Sequence, residues 1–160
     1  MIRILFVCLG NICRSPMAEA VFRHQLQAGG LEGRIEVDSA GTGDWHLCKP
    51  PHEGTRALLD RYGISYEGIR ARQVLLDDFN EFDYIVCMDS ANERDVRKVF
   101  GSRADGSAKV FKFMDLVPGK TSNDVPDPYY TGNFDEVYAL VEEGCRNLLA
   151  KILQEHPERA

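Results

Sequence analysis

The feature that most constrains the fold is a short apolar run that passes, through one tight loop, directly into an amphipathic helix pattern. Residues 2–7 are apolar and rich in β-branched side chains apart from Arg3, and a run this short favours a buried strand over a helix. Residues 16–28 carry apolar side chains on one helical face. Ser15 is predicted to cap this helix, because serine caps well and the proline that follows fits a first helical turn.

The alternation of strand and helix patterns continues along the chain. Further strands are predicted over residues 34–39, 84–88 and 109–113, and further helices over residues 53–62, 90–99 and 133–154. Ser90 and Glu93 form a predicted capping box. Strands that alternate with helices imply a parallel sheet covered on both faces. We therefore expect an α/β fold with a doubly wound, four-stranded parallel sheet, helices on both faces and a phosphate-binding loop after the first strand.

Length, charge and cysteine content limit the alternatives. The 160 residues, 44% of them hydrophobic and 28% charged, fit a single domain over residues 1–160. The net charge of −6 disfavours nonspecific binding to nucleic acid. Five cysteines without a C-x-x-C pair, and no signal peptide, favour a reducing cytoplasmic location. Membrane association is not expected, because no run approaches the ~20 apolar residues that span a bilayer.

The loop after the first strand, CLGNICRS at residues 8–15, combines the features of an anion site. Ligands of open α/β sheets bind beyond the carboxyl ends of the strands, where this loop is predicted to lie. Gly10 and Asn11 tolerate left-handed backbone, so the loop N–H groups can converge on an anion at the positive end of the next helix. Cys8 then supplies a thiolate, and Arg14 a planar guanidinium that grips two oxygens. This combination predicts nucleophilic attack on a phosphoryl group.

Other interpretations of this segment are weaker. Cys8 taken alone fits a buried cysteine at a strand end, the commonest fate of a free thiol. A Walker loop is disfavoured because the lysine of G-x-x-x-x-G-K-[ST] is missing, and the G-x-G-x-x-G dinucleotide pattern is absent as well. The long connection over residues 115–132, which has no periodicity, is predicted to be functional.

Three motifs together resemble the low molecular weight protein tyrosine phosphatases. These are CLGNICRSP after the first strand, SAGT with Trp45 behind it, and DPYY in the late loop. The resemblance implies that Cys8 attacks phosphorus in line and forms a phosphocysteine intermediate, while Arg14 and the loop N–H groups stabilise the equatorial oxygens. It also implies that Asp127 protonates the leaving oxygen and then activates water. Neither a metal nor another cofactor is expected.

The same resemblance implies roles for the residues around the loop. Ser15 is expected to donate its hydroxyl hydrogen to the Cys8 thiolate, and Asn11, bonded by Ser39, to keep the loop N–H groups convergent. Cys13 is expected to form a reversible disulfide with Cys8 that protects the nucleophile and switches activity off. The expected substrate-binding residues are Leu9, Gly10, Asn11, Ile12, Cys13, Ser15, Trp45, Tyr129 and Tyr130.

Some positions depart from the family pattern. Ile69 stands where many members have a histidine that supports the phosphate loop, and Cys48 replaces a residue that is usually glycine. The protein-arginine phosphatases of the same fold are the alternative, and they typically have threonine where Ile12 stands. Ile12 and the paired Tyr129 and Tyr130 favour an aryl phosphate instead.

We therefore expect a monomeric protein-tyrosine phosphatase whose partners are phosphotyrosine-bearing proteins and a tyrosine kinase that it opposes. Two other classes of function stay open at this point. A thioredoxin-coupled arsenate reductase is disfavoured, because Cys87 has no second cysteine within ten residues. A module that binds phosphorylated proteins without catalysis does not need both Cys8 and Asp127, yet both are present.

Overall fold

Strands and helices alternate in the structure largely as the sequence predicts. The computed structural model describes residues 1–101, 108–120 and 122–157. The helices and strands of these residues are β1 (Ile2–Cys8), α1 (Arg14–Ala28), β2 (Ile35–Gly41), α2 (Glu53–Arg61), α3 (Asp78–Glu81), β3 (Tyr84–Cys87), α4 (Ser90–Phe100), β4 (Lys109–Lys112), α5 (Pro128–Thr131) and α6 (Phe134–Glu155). A 3₁₀ turn, Phe113–Leu116, follows β4.

The four strands form one sheet in the order β2-β1-β3-β4, and every neighbouring pair is parallel. β1 lies inside the sheet, with Cys8 opposite Gly41 of β2 and Val7 opposite Cys87 of β3. The chain runs to one side of β1 first and to the other side afterwards, so the carboxyl ends of β1 and β3 flank the point at which the strand order reverses. Ligands of open α/β sheets bind at such a point.

Helices cover both faces of the sheet, which confirms the predicted fold class. Phe6 of β1 points to the face covered by α1 and α6, where its ring meets that of Phe22 edge to face at 5.9 Å. The neighbouring Val7 points to the opposite face. There Phe79 of α3 and Phe100 of α4 pack with ring centroids 4.8 Å apart.

The first helix begins two residues earlier than a Ser15 cap would place it. α1 starts at Arg14, Cys13 occupies the N-cap position, and no side chain caps this end. The predicted capping role of Ser15 is therefore wrong. Its hydroxyl has other hydrogen-bond partners, which are described with the site below.

A second predicted cap is also wrong, and two short helices, α3 and α5, were not predicted. Asp89 caps α4, because its Oδ1 accepts the N–H of Asn92 at 2.7 Å, whereas Ser90 already lies inside the helix. The predicted capping box of Ser90 and Glu93 therefore does not form at this helix end. The short helix α5 lies within the long connection for which the sequence shows no periodicity.

Candidate active site

The loop that follows β1 curls back over the carboxyl end of that strand. Cys8 is buried at its start. Asn11 adopts a left-handed backbone with φ of 55°, and its N–H turns back to Cys8 Sγ at 3.3 Å. The segment after β2 braces the loop, since the Gly43 N–H donates to the Leu9 carbonyl at 2.9 Å. The N-terminus of α1 follows at once, so its positive end faces the same space.

A chain of side-chain hydrogen bonds runs behind the loop from Glu19 to Cys8. The Ser39 hydroxyl donates to Glu19 Oε1 at 2.6 Å, which leaves a Ser39 lone pair for the Asn11 amide nitrogen at 2.9 Å. The same amide donates to Ser15 Oγ at 2.8 Å, so the Ser15 hydrogen can point at Cys8 Sγ, 2.9 Å away. The Asn11 amide thus donates in both directions, toward Glu19 through Ser39 and toward Cys8 through Ser15, and the Cys8 side ends on sulfur. Hydrogen bonds to an anion are the strong ones, so this arrangement suits a thiolate.

Two titratable groups of this site are buried: Glu19, at one end of the chain of hydrogen bonds, and Cys13, in the loop. Burial raises the pKa of Glu19 to about 7, although the hydrogen bond from Ser39 acts in the opposite direction. Burial, together with the nearby Cys8 and Asp127, raises the pKa of the Cys13 thiol to about 12. Cys13 is therefore a neutral thiol beside the loop.

Arg14 is buried at the first position of α1, and three oxygens hold its guanidinium. Nη1 donates to Asp89 Oδ2 at 2.8 Å and to the Val125 carbonyl at 3.0 Å, while Nη2 faces Asp127 Oδ2 at 3.4 Å. Asp89 was missed by the sequence-based prediction. Its position directly after the carboxyl end of β3, beside the end of β1, is the signal that would have identified it.

Asp127 lies across from the loop, at the start of α5. Its Oδ1 accepts the Tyr129 N–H at 3.1 Å and so caps the short helix. Tyr129 and Tyr130 are 54% and 76% exposed, and their rings pack edge to face at 5.4 Å. The cap fixes the carboxyl group of Asp127 relative to the Tyr129 backbone.

These elements enclose a cleft of about 340 Å³. Such a volume is in the range of small-molecule sites. The residues that line it are Cys8, Leu9, Gly10, Ile12, Cys13, Arg14, Trp45, His46, Asp127, Tyr129 and Tyr130. The side chains of Asn11, Ser15 and Ser39 lie behind the loop, in the chain of hydrogen bonds, and not in this lining.

Two glycines allow aromatic side chains to reach the rim of the cleft. The Trp45 ring packs against Gly43, where any side chain would overlap it. His46 lies over Gly10, with its Cδ2 3.0 Å from the position that a Cβ of Gly10 would take. His46 directly follows Trp45 in the sequence.

The structure shows the surroundings of Ile69 and Cys48, the two residues that depart from the family pattern. Ile69 is buried in the apolar core, and Asn11 Oδ1 accepts the backbone N–H of Arg72 at 2.9 Å. The loop is therefore supported there by a backbone group. Cys48 is exposed and has a left-handed φ of 69°, a conformation that favours the glycine usual at this position.

Two negative findings apply to residues 1–101, 108–120 and 122–157. No group of three or more histidine, cysteine, aspartate or glutamate side chains there is arranged to hold a metal ion. No helix in the same ranges is long and apolar enough to cross a membrane. The expected absence of a cofactor stays a prediction.

A comparison with known families assigns the class of protein. A sequence model of the low molecular weight phosphotyrosine protein phosphatases matches residues 3–158. The chain belongs to this family. The parallel sheet, and the cysteine loop between its first strand and first helix, are accordingly those of a protein-tyrosine phosphatase.

Individual relatives agree with this assignment. The chain is 52% identical over 155 residues to the low molecular weight protein-tyrosine-phosphatase YfkJ of Bacillus subtilis, which covers 97% of this chain and 98% of that protein. The crystal structure of YfkJ matches with a TM-score of 0.92 and covers 97% of this chain and 96% of that one. A protein tyrosine phosphatase of Entamoeba histolytica, solved with Hepes in its active site, is 34% identical, with a TM-score of 0.88 and coverage of 97% and 99%.

The structure of an arginine phosphatase, the alternative enzyme, is also similar to this chain, but at lower sequence identity. The Drosophila arginine phosphatase DARP is 30% identical to this chain, with a TM-score of 0.85 and coverage of 93% and 96%. The predicted family, fold and enzyme class are therefore confirmed, and the phosphotyrosine enzymes are the nearer relatives among those compared.

Proposed function

We propose that this protein-tyrosine phosphatase hydrolyses phosphotyrosine in proteins, and small aryl phosphates, through a phosphocysteine intermediate on Cys8. The observation that supports this best is the environment of Cys8 Sγ. It lies 2.9 Å from Ser15 Oγ and accepts the Asn11 N–H at 3.3 Å, in the lining of a cleft that also holds Asp127. A nucleophile, an anion-binding loop and an acid thus face one space.

In the first step, the Cys8 thiolate attacks phosphorus, so an S–P bond forms while the bond from phosphorus to the aryl oxygen breaks. Arg14 and the loop N–H groups bind the equatorial oxygens and stabilise the charge that develops there. Asp89 holds Arg14 at 2.8 Å and so orients the guanidinium before substrate arrives. Asp127 gives its proton to the leaving phenolic oxygen.

In the second step, Asp127 removes a proton from water, and the water oxygen attacks the phosphorus of phosphocysteine. The S–P bond breaks, inorganic phosphate leaves and the Cys8 thiolate is restored. Ser15 stabilises this leaving sulfur through the hydroxyl at 2.9 Å. Neither step requires a metal ion.

Oxidation of the two cysteines of the cleft would interrupt this cycle. An oxidant such as hydrogen peroxide converts the Cys8 thiolate to a sulfenic acid, and attack by Cys13 then forms a disulfide with loss of water. Both cysteines are free and line the cleft, which supports this route. A reductant restores the two thiols.

We also infer that residues 1–160 form a single catalytic domain, which acts as a monomer in the cytoplasm. Its partners are proteins that carry phosphotyrosine and a tyrosine kinase whose products it dephosphorylates. Exposed aromatic side chains at the cleft, Tyr129 and Tyr130 among them, support an aryl substrate.

Steady-state hydrolysis by wild type, Cys8→Ser and Asp127→Ala tests this function. The substrates are para-nitrophenyl phosphate, a phosphotyrosine peptide and a phosphoarginine peptide, with EDTA and a reductant present. We expect no turnover by Cys8→Ser, and a loss of about 10²- to 10⁴-fold for Asp127→Ala. The exposed Cys48→Ser and Asp135→Ala serve as matched controls and should retain activity.

Three results would contradict the proposal. Undiminished turnover by Cys8→Ser would exclude a phosphocysteine intermediate. Loss of wild-type activity in EDTA would indicate metal-dependent chemistry. Preference for the phosphoarginine peptide over the phosphotyrosine peptide would assign the other substrate.

A further inference from the structure

His52 connects four parts of the molecule beside the cleft, although it is not among the residues that line it. Its backbone N–H donates to the Ile12 carbonyl of the catalytic loop at 2.7 Å. Its Nδ1 accepts the N–H of Gly54 at 3.0 Å and caps α2. The imidazole stacks on the Phe134 ring, with centroids 5.4 Å apart and planes at 18°, and meets the Tyr129 ring edge to face at 5.8 Å.

The imidazole is held in one orientation from two sides. Its Nδ1 accepts the Gly54 N–H, which limits rotation of the ring. Gly54 has no side chain, and a Cβ there would overlap the Phe134 ring, so this ring packs closely against the start of α2. The His52 ring therefore lies between the Phe134 ring, on which it stacks, and the exposed Tyr129 ring.

Tyr129 needs such support, because it is 54% exposed and belongs to a helix of only four residues. Its ring also lies 6.4 Å from His46 and 5.4 Å from Tyr130. The Tyr129 N–H is bonded to Asp127 Oδ1 at 3.1 Å. Tyr129 and the Asp127 carboxyl group are thus linked through the Tyr129 backbone.

We propose that His52 is a positioning residue that holds Tyr129 as a wall for the substrate ring and, through Tyr129, orients the Asp127 carboxyl toward the leaving oxygen. The inference rests on the proposed function, because it gives His52 a part in the same site. His52 has two separable properties: an acceptor that caps α2, and an aromatic ring that contacts Tyr129.

Two variants separate these properties, and a third is a control. His52→Asn keeps a side-chain oxygen that can cap α2 but removes the ring, since asparagine is among the best N-cap residues. His52→Phe keeps an aromatic ring but removes the acceptor. His24→Asn makes the same chemical change at an exposed position of α1 and is the matched control.

Three measurements are made on each variant. The first is binding of phenylphosphonate, a non-hydrolysable aryl probe, by calorimetry in the Cys8→Ser background. The second is kcat/KM for phenyl phosphate and for para-nitrophenyl phosphate. Phenolate is the poorer leaving group, so its departure depends more on proton transfer from Asp127. Thermal unfolding of each variant reports the contribution of the cap.

For His52→Asn we expect phenylphosphonate to bind about 3- to 10-fold more weakly, as for the loss of one aromatic contact. We also expect kcat/KM to fall by a further factor of about 3 or more for phenyl phosphate relative to para-nitrophenyl phosphate. His52→Phe should lower the Tm but keep the wild-type ratio between the two substrates. His24→Asn should match wild type in every measurement.

The proposal is overturned if His52→Asn binds phenylphosphonate as wild type does, or if its two substrates lose the same factor. It is also overturned if the losses of His52→Asn and His52→Phe simply follow their Tm values, which would indicate a structural role alone. Failure of the proposed function is distinguishable, because wild type would then hydrolyse neither substrate while the binding measurement still tests His52.

Discussion

The buried carboxyl group of Glu19 makes the stability of this protein fall as the pH rises toward neutrality. Burial is the main reason that its pKa is raised from 4.5 to about 7; Asp38 adds to the increase, while the Ser39 hydrogen bond, Arg23 and Arg72 oppose it. Between these two values the native protein keeps a proton that the unfolded chain has released. The free energy of unfolding must therefore decrease with pH across this window.

The magnitude follows from the difference between the two pKa values. A difference from 4.5 to about 7, at about 1.4 kcal/mol per pH unit, corresponds to roughly 3 kcal/mol. This contribution is intact below about pH 4.5 and is lost above about pH 7. Such an amount is a large share of the roughly 5–15 kcal/mol by which a domain is stable.

Glu19→Gln removes the titration but keeps an oxygen that can accept the Ser39 hydrogen. We expect its free energy of unfolding, relative to that of wild type, to increase by roughly 3 kcal/mol between about pH 4.5 and pH 8. Urea unfolding followed by far-ultraviolet circular dichroism, at steps of one pH unit and with reductant, measures this difference. The exposed Glu67→Gln is the control, and its difference from wild type should stay constant. A constant difference for Glu19→Gln as well would refute the reasoning.

Two further substitutions have opposite expected effects on stability. Gly144→Ala would place a methyl group in the ring of the buried Phe113, so urea unfolding should show a loss of about 1–3 kcal/mol, even though alanine is the better helix former. Cys48→Gly relieves a left-handed φ of 69°, a conformation that costs other residues about 1–2 kcal/mol. Part of this gain is offset by about 0.4–1 kcal/mol of unfolded-chain entropy, so a net gain of up to about 1 kcal/mol with unchanged kcat is expected. A more stable Gly144→Ala, or a less stable Cys48→Gly, would contradict these assignments.

The parts of the fold that the sequence predicts well are those with local signals. The apolar run at residues 2–7 and the helical spacing after it correspond to β1 and α1. The loop between them supplies Cys8 and Arg14, which are only six residues apart. Chain proximity and the position after a strand were therefore sufficient to place them together.

The parts of the structure that the sequence does not predict depend on contacts between residues that lie far apart along the chain. Asp89 binds Arg14 across 75 residues, and Glu19 reaches the loop through Ser39, 20 residues further on. His52 has no local pattern that sets it apart from an ordinary loop histidine. Its neighbours Phe134 and Tyr129 come from the C-terminal part of the chain. Contacts of this kind leave no periodic pattern in the sequence.

The central position of β1 ties the assembly of the catalytic loop to segments that are translated much later. β1 can gain its second neighbour only when Tyr84–Cys87 is available, and the Cys145 side chain of α6 packs against the Ala18 carbonyl of α1, 127 residues earlier. Chains interrupted before α6 would leave an apolar face of α1 bare on the ribosome. Phosphatase activity should therefore arise late and cooperatively in synthesis, and incomplete chains should be targets for chaperones and proteases.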